Sequence, residues 1–166
     1  RFGQVTAMQL HTCGPSCPPN CPSQPRVDLK TAAAKRPLTI DMHCHVVVPQ
    51  VEALIGDRPE KAAEMAQLNA GMGAASVEHN NKVMLPSAGP RLVNLAMRLA
   101  DMDSMGVDVQ VISPSPTQYY YWADFDLAAD FVRAQNEGIA SLCEQHPERL
   151  AGLGNVALQH PQLAAR

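Results

Sequence analysis

Three short apolar runs, kept apart by longer amphipathic stretches, restrict this chain to a small set of folds. The runs are 38–47 (Leu-Thr-Ile-Asp-Met-His-Cys-His-Val-Val), 107–113 (Val-Asp-Val-Gln-Val-Ile-Ser) and 150–156 (Leu-Ala-Gly-Leu-Gly-Asn-Val). Their length and β-branched content read as strands, with the glycines of the third weakening it. Between the first two, Leu92, Leu95, Leu99 and Met102 recur at helical spacing, and Gly106 stands where a C-cap is needed. Between the second and third, a helix is expected from Asp124 or Asp126, both good N-caps, to His146, where Pro147 stops it. Another begins at Gln159. Strands that alternate with helices must pair in parallel, which makes the fold class α/β.

Within that class, chemistry on the first strand fits a (β/α)8 barrel, whose sites lie at the C-terminal ends of the strands. A full barrel takes roughly 250 residues, so about three of its eight β/α units are expected here, as the N-terminal part of a TIM-type barrel. The chain starts without Met and stops at Ala164-Ala165-Arg166, as a fragment would. Three isolated units leave strand edges unpaired, so this piece alone is expected to be inactive and to aggregate or dimerise.

The first strand carries the chemistry. In Asp41-Met42-His43-Cys44-His45 the two histidines are one residue apart. Side chains alternate along a strand, so His43 and His45 are expected on one side with Asp41 below them, and Met42, Cys44 and Val46 on the other. Two neutral imidazoles on a rigid wall can hold one divalent cation, most simply Zn2+, leaving room for water or substrate. Asp41 is the candidate to orient a ligand from behind. A strand that merely contains two histidines is the bland alternative. Two ligands are also too few, since catalytic Zn2+ takes three from the protein. His146 reads as a helix-end residue, His160 as a surface residue before Pro161, and His79 has a small chance of reaching the mouth. The missing ligands are expected beyond residue 166.

Residues 1–37 differ in composition. Gly14-Pro15, Pro18-Pro19, Pro22 and Pro25 oppose both helix and sheet, so this stretch is expected to be a disordered extension. Cys13, Cys17 and Cys21, with His11, form a weak metal-binding candidate there, and a truncated chain that binds metal only through them is the non-catalytic alternative. Residues 50–90 read as an insertion or lid, with a helix from Glu60 to Leu68 ended by Gly71 and a long loop from Gly73 to Pro90. Tyr119-Tyr120-Tyr121-Trp122 concentrates every tyrosine and the single tryptophan after the second strand. There the rings either wall a small substrate or plug the next helix.

A net charge of −3 with no basic stripe gives no reason to expect nucleic acid. No apolar stretch approaches the ~18 residues of a membrane span. Five cysteines without a disulfide framework and no leader-like start favour the cytoplasm.

Asp41-Met42-His43-Cys44-His45 followed by Pro49 resembles the first-strand motif of the amidohydrolase superfamily. The stretches Arg98 to Pro114, Tyr121-Trp122-Ala123 and Pro147 to Gly154 are similar to the branch typified by aminocarboxymuconate-semialdehyde decarboxylase, which also holds resorcylate-type decarboxylases. The likeness covers residues 38–166, poorly across 50–90. It implies a distorted (β/α)8 barrel with one divalent metal, usually Zn2+, His43 and His45 being its first two ligands. It further implies a complete enzyme, expected as a dimer, that decarboxylates a small aromatic or muconate-type carboxylic acid. A hydrolase of an ester, lactone or amide is the alternative within the superfamily. The family's later ligand, its catalytic His and its metal-binding Asp fall outside this chain. Trp122, with Tyr121, matches the region of the substrate pocket. Where the decarboxylase has an arginine for the substrate carboxylate, this chain reads Lys82-Val83-Met84-Leu85-Pro86. Arg91 is the nearest substitute and Lys82 a weaker one.

Overall fold

A computed structural model describes residues 37–165. The proline- and cysteine-rich extension with His11, Cys13, Cys17 and Cys21 lies outside the described residues. Three strands, β1 (Ile40–Val46), β2 (Val109–Pro114) and β3 (Leu150–Gly152), form one parallel sheet in the order β1-β2-β3. β2 has a neighbour on each side and is buried along almost its whole length, as a central parallel strand must be. Pro114 is its last residue rather than the residue after it. β3 is shorter than its apolar run. The Leu153 N–H still donates to the Ile112 carbonyl of β2 at 2.9 Å, after which the main chain leaves the ladder and the Asn155 N–H donates to Asn136 Oδ1.

The helices are α1 (Pro49–Ile55), α2 (Pro59–Met72), α3 (Ala74–His79), α4 (Leu85–Val93), α5 (Leu95–Met105), α6 (Phe125–Gln145) and α7 (Pro161–Ala164). α6 starts at its expected N-cap, where Asp124 Oδ1 accepts from the Leu127 N–H at 3.0 Å. It presents Ala128, Phe131, Gln135, Ile139 and Cys143 as one buried stripe. That stripe packs with Val46, Val48, Val51, Ile55, Met102, Ile112 and Leu150 in the core. Two glycines let backbones approach closely. A Cβ at Gly138 would lie 2.7 Å from Val48 Cγ1, and one at Gly152 would lie 2.6 Å from Ile139 Cγ2.

α5 begins later than the leucine spacing predicts. Asn94 breaks the helix and caps the new one by accepting from the Met97 N–H at 3.0 Å. Gly106 closes α5 in the left-handed conformation, as expected.

The stretch 73–90 differs most from its sequence expectation. It is helical, running through α3, a π-helical turn over Asn80–Met84 and α4. None of these segments, nor α2, has a buried residue. α2, which buries nothing, has little apolar period to read, whereas α4 is amphipathic but is masked in the sequence by the breakers Gly89 and Pro90 within it. Local bonds and the Glu78–Lys82 ion pair at 2.6 Å, one turn apart, sustain the stretch. Among the described residues no helix is long and apolar enough to cross a membrane.

β1 is an outer strand of this sheet. Three main-chain groups of it and its exit that β2 does not take are bonded within the chain. The His43 N–H donates to Asp41 Oδ1, Arg98 Nη2 donates to the His45 carbonyl, and the Val47 N–H donates to the Leu92 carbonyl.

Candidate metal centre

The pairing of β1 with β2 slips by one residue between Asp41 and Cys44. Asp41 pairs with Gln110 but Cys44 with Ile112, so two residues, Met42 and His43, oppose Val111 alone. Strict alternation is lost at this bulge, which displaces Met42 and Asp41 from their expected places and leaves Cys44 in its own. Met42, expected to be covered, is 62% exposed. Cys44 keeps its expected burial, and that burial pushes its thiol up to about 12. Asp41 does not sit behind the imidazoles as expected. Its Oδ1 accepts from the His43 main-chain N–H and its Oδ2 from Gln110 Nε2, both at 3.2 Å. The Cys44 thiol, the His43 N–H and the Gln110 amide together hold its carboxyl below the ordinary value, against the opposing effect of burial.

The two imidazoles nevertheless meet. Their Nε2 atoms are 3.1 Å apart, with ring centroids 5.0 Å apart and planes at 83°. What orients His45 is the end of β2. Its Nδ1 lies 3.1 Å from the Pro114 carbonyl oxygen and 3.2 Å from Ser113 Oγ. A carbonyl can only accept, so Nδ1 carries the proton and Nε2 of neutral His45 presents a lone pair. Ser113 Oγ also donates to the Cys44 carbonyl at 3.3 Å. Ser113 and Pro114 therefore do the work expected of Asp41. Strand register signals this, because His45 pairs with Ser113 and Val46 with Pro114.

The pair fits a shared cation. A tetrahedral ion with bonds of ~2.0–2.1 Å holds two nitrogen ligands ~3.3–3.4 Å apart, close to the observed spacing. Without an ion the same distance is a hydrogen bond from His43 Nε2–H to His45. Among the described residues no cluster of three or more His, Cys, Asp or Glu side chains surrounds such a point.

A cavity of roughly 240 Å³ adjoins the pair and is bordered by Asp41, both imidazoles, Arg91, Arg98 and Asp101. Arg91, expected as the carboxylate partner, borders this cavity. Its Nε donates to Asp101 Oδ2 and its Nη1 to the Ser87 carbonyl, both at 2.6 Å. Arg98 was not singled out from the sequence. It is 9% exposed, and its guanidinium reaches Gln110 Oε1, the His45 carbonyl and the Arg91 carbonyl.

The aromatic cluster divides. Tyr120 is 2% exposed, packs edge-on against Phe131 and donates its hydroxyl to Glu52 Oε1 at 2.7 Å. It is the plug of the two readings. Its φ of 42° is unusual for a non-glycine residue and reverses the chain there. Tyr121 is consequently exposed, and half-buried Trp122 donates from Nε1 to Glu64 Oε2 of α2 at 3.1 Å. Neither Tyr121 nor Trp122 borders the cavity beside the histidines. Glu52 also receives Lys61 Nζ and Gln118 Nε2, at 2.6 and 2.8 Å. Burial alone would raise its pKa, but the donors from Lys61, Tyr120 and Gln118 outweigh burial and lower it.

Of the remaining histidines, His79 is exposed, and His146 ends α6 with its Nδ1 3.5 Å from Glu148 Oε1. His160 is not a plain surface residue. It stacks edge-on against Phe125, and its Nε2 lies 3.0 Å from the Ala123 carbonyl.

Known proteins resemble this chain in sequence and fold. The Amidohydrolase family profile matches residues 40–166. A 2-amino-3-carboxymuconate-6-semialdehyde decarboxylase of Dictyostelium discoideum is 26% identical over 133 residues, covering 75% of this chain and 34% of the relative. One of Caenorhabditis elegans is 33% identical over 78 residues, covering 45% of this chain and 19% of that protein. Among solved structures, 5-carboxyvanillate decarboxylase LigW of Sphingomonas paucimobilis superposes with a TM-score of 0.55 at 26% identity, over 78% of this chain and 37% of that one. A dihydroxybenzoic acid decarboxylase of Polaromonas, solved with manganese and the inhibitor 2-nitroresorcinol, shares the fold with a TM-score of 0.55 at 21% identity, over 79% and 33% of the two chains. The chain thus spans about a third or less of the length of the curated relatives it matches. Its three strands and their helices are three β/α units of a (β/α)8-type barrel. The chain belongs to the amidohydrolase family.

Proposed function

We propose that the whole protein is a divalent-metal-dependent decarboxylase, a carbon–carbon lyase acting on a small aromatic or muconate-type carboxylic acid. The observation that carries this reading is the pair of Nε2 atoms 3.1 Å apart, one of them fixed as a lone-pair donor by the Pro114 carbonyl. The names of the related proteins support the reaction class, and the manganese of one neighbour supports a divalent ion. Bound here, the ion supplies Lewis-acid polarisation of a substrate oxygen. The chain's own residues provide the rest of this half of the site. His43 and His45 hold the ion, Ser113 and Pro114 keep His45 in the competent tautomer, and Arg91 offers a cation to a substrate carboxylate, with Asp101 as its resting partner. The further ligands and the group that protonates the carbon after CO2 departs come from residues after 166.

Metal content and CO2 release, measured on the whole protein and on His43→Ala, test this. The wild type is expected to retain about one zinc or manganese per chain and to release CO2 from an aromatic or muconate-type acid. His43→Ala is expected to lose both. Full metal content and turnover in His43→Ala would refute the ligand role. Hydrolysis of esters, lactones or amides without any CO2 release would refute the lyase.

A further inference from the structure

We propose that Gln118, Gln135 and Asn155 are positioning residues of the metal centre, through one buried chain of amide hydrogen bonds that ties the exits of all three strands together. This rests on the metal-centre reading above. The chain begins at Val48, three residues after His45. Gln118 grips both main-chain groups of Val48. Its Oε1 accepts from the Val48 N–H at 2.9 Å and its Nε2 donates to the Val48 carbonyl at 3.0 Å. A side-chain amide there imitates a neighbouring strand and fixes the path by which β1 leaves the sheet. The Gln118 carbonyl accepts in turn from Gln135 Nε2 of α6 at 2.7 Å. Gln135 Oε1 accepts from Asn155 Nδ2 at 2.8 Å, just beyond β3. Asn155 is then clamped twice by Asn136, its carbonyl accepting from Nδ2 at 2.9 Å and its N–H donating to Oδ1 at 2.7 Å.

Burial and location argue for placement rather than mere cohesion. Gln118 and Gln135 are 1% and 0% exposed, in a core where apolar side chains of similar size would pack without any need for partners. A fully satisfied buried amide chain adds direction instead, because each donor and acceptor admits one arrangement. The chain joins only the ends of the strands near His45. The opposite ends are held by a different device, Arg149, which donates to the Asp108 and Val107 carbonyls and to Asp103. Gln118 also lies only four residues beyond Pro114, whose carbonyl sets the His45 tautomer. Fixing Val48 against Gln118 therefore holds the strand that carries the imidazoles against the strand that orients them.

The test is Co2+ binding, followed by its visible absorption, in the whole protein. Gln118→Met breaks the grip on Val48. Asn155→Ala, at a half-buried site, breaks the chain at its far end and guards against failure of the first variant to fold. Arg149→Ala, at the opposite ends of the strands, serves as a control for general destabilisation, with urea unfolding measured for all three. Co2+ affinity is expected to fall ~10-fold or more in Gln118→Met or Asn155→Ala, within the range for groups that orient ligating histidines. The bound spectrum is expected to shift, while Arg149→Ala keeps wild-type affinity and spectrum. Wild-type Co2+ binding in both relay variants, or equal losses in all three, would overturn the proposal and leave the metal centre standing. A wild type that binds no Co2+ would overturn the metal centre, and this inference with it.

Discussion

Gly138 of α6 faces Val48, just past the end of β1, at close range, which makes Gly138→Ala a demanding perturbation. In an open helix interior, Gly→Ala gains about 1 kcal/mol. Here the new methyl would start 2.7 Å from Val48 Cγ1 and 3.3 Å from Cγ2. Val48 is 2% exposed, and both its main-chain groups are held by Gln118, so it has little freedom to retreat. Inserting a methyl into a packed core costs ~1–3 kcal/mol. Set against the helix gain, a net loss of up to ~2 kcal/mol is expected. Urea unfolding of a small protein has a slope of ~1–3 kcal/mol per molar, so at a slope near the middle of that range the midpoint should fall by up to ~1 M, with the slope unchanged. Gly71→Ala in α2, where nothing lies within 4 Å of the new Cβ, should instead be neutral or stabilising. Val48→Ala should remove the clash, so the double variant Gly138→Ala/Val48→Ala should be more stable than the sum of its parts by ~0.5–3 kcal/mol. A Gly138→Ala protein as stable as wild type or more so, with additive behaviour in the double variant, would refute the idea of a rigid contact at this exit.

Ser113→Ala removes one of the two partners of His45 Nδ1 and leaves the Pro114 carbonyl. Divalent-metal affinity, measured by calorimetry, is expected to weaken ~10-fold with folding unimpaired. Glu52 gives a pH-dependent prediction. Its carboxyl is lowered from an ordinary value of 4.5, so its ionised form stabilises the fold above about that pH, and the contribution vanishes as pH falls through the lowered folded value. The stability difference between wild type and Glu52→Gln in urea titrations should therefore be present at pH 7 and shrink towards pH 3. A difference that grows on acidification would contradict the assignment.

The meeting of His43 with His45 was legible in the sequence because a strand repeats every two residues. The fate of Asp41 was not, since a one-residue slip against β2 turned it towards Gln110, and nothing in Asp41-Met42-His43 marks a bulge with Gly or Pro. Asp124 and Gly106 acted as the caps their chemistry implies, which placed the start of α6 and the end of α5. The helices of 73–90 were not legible because α3 buries no residue and because Gly89 and Pro90 read as breakers inside α4. The amide chain escaped for a different reason. Gln118, Gln135 and Asn155 are spaced without period and gain meaning only once three strand exits are brought together. Ser113 lay within reach, for parallel pairing sets the end of the second apolar run beside His45.

The bonds along the outer flank of β1 bear on how this three-unit piece meets another strand. A strand arriving at that flank would find the His43 N–H, the His45 carbonyl and the Val47 N–H already engaged. To dock, it would have to expel a guanidinium that Gln110 and the Arg91 carbonyl also retain. Natural sheets use charged groups in this way to deter edge-to-edge stacking. Because the last strand of a closed barrel would take this same flank, Arg98 blocks it only in the three-unit piece described, where it also braces the strand that bears the imidazoles.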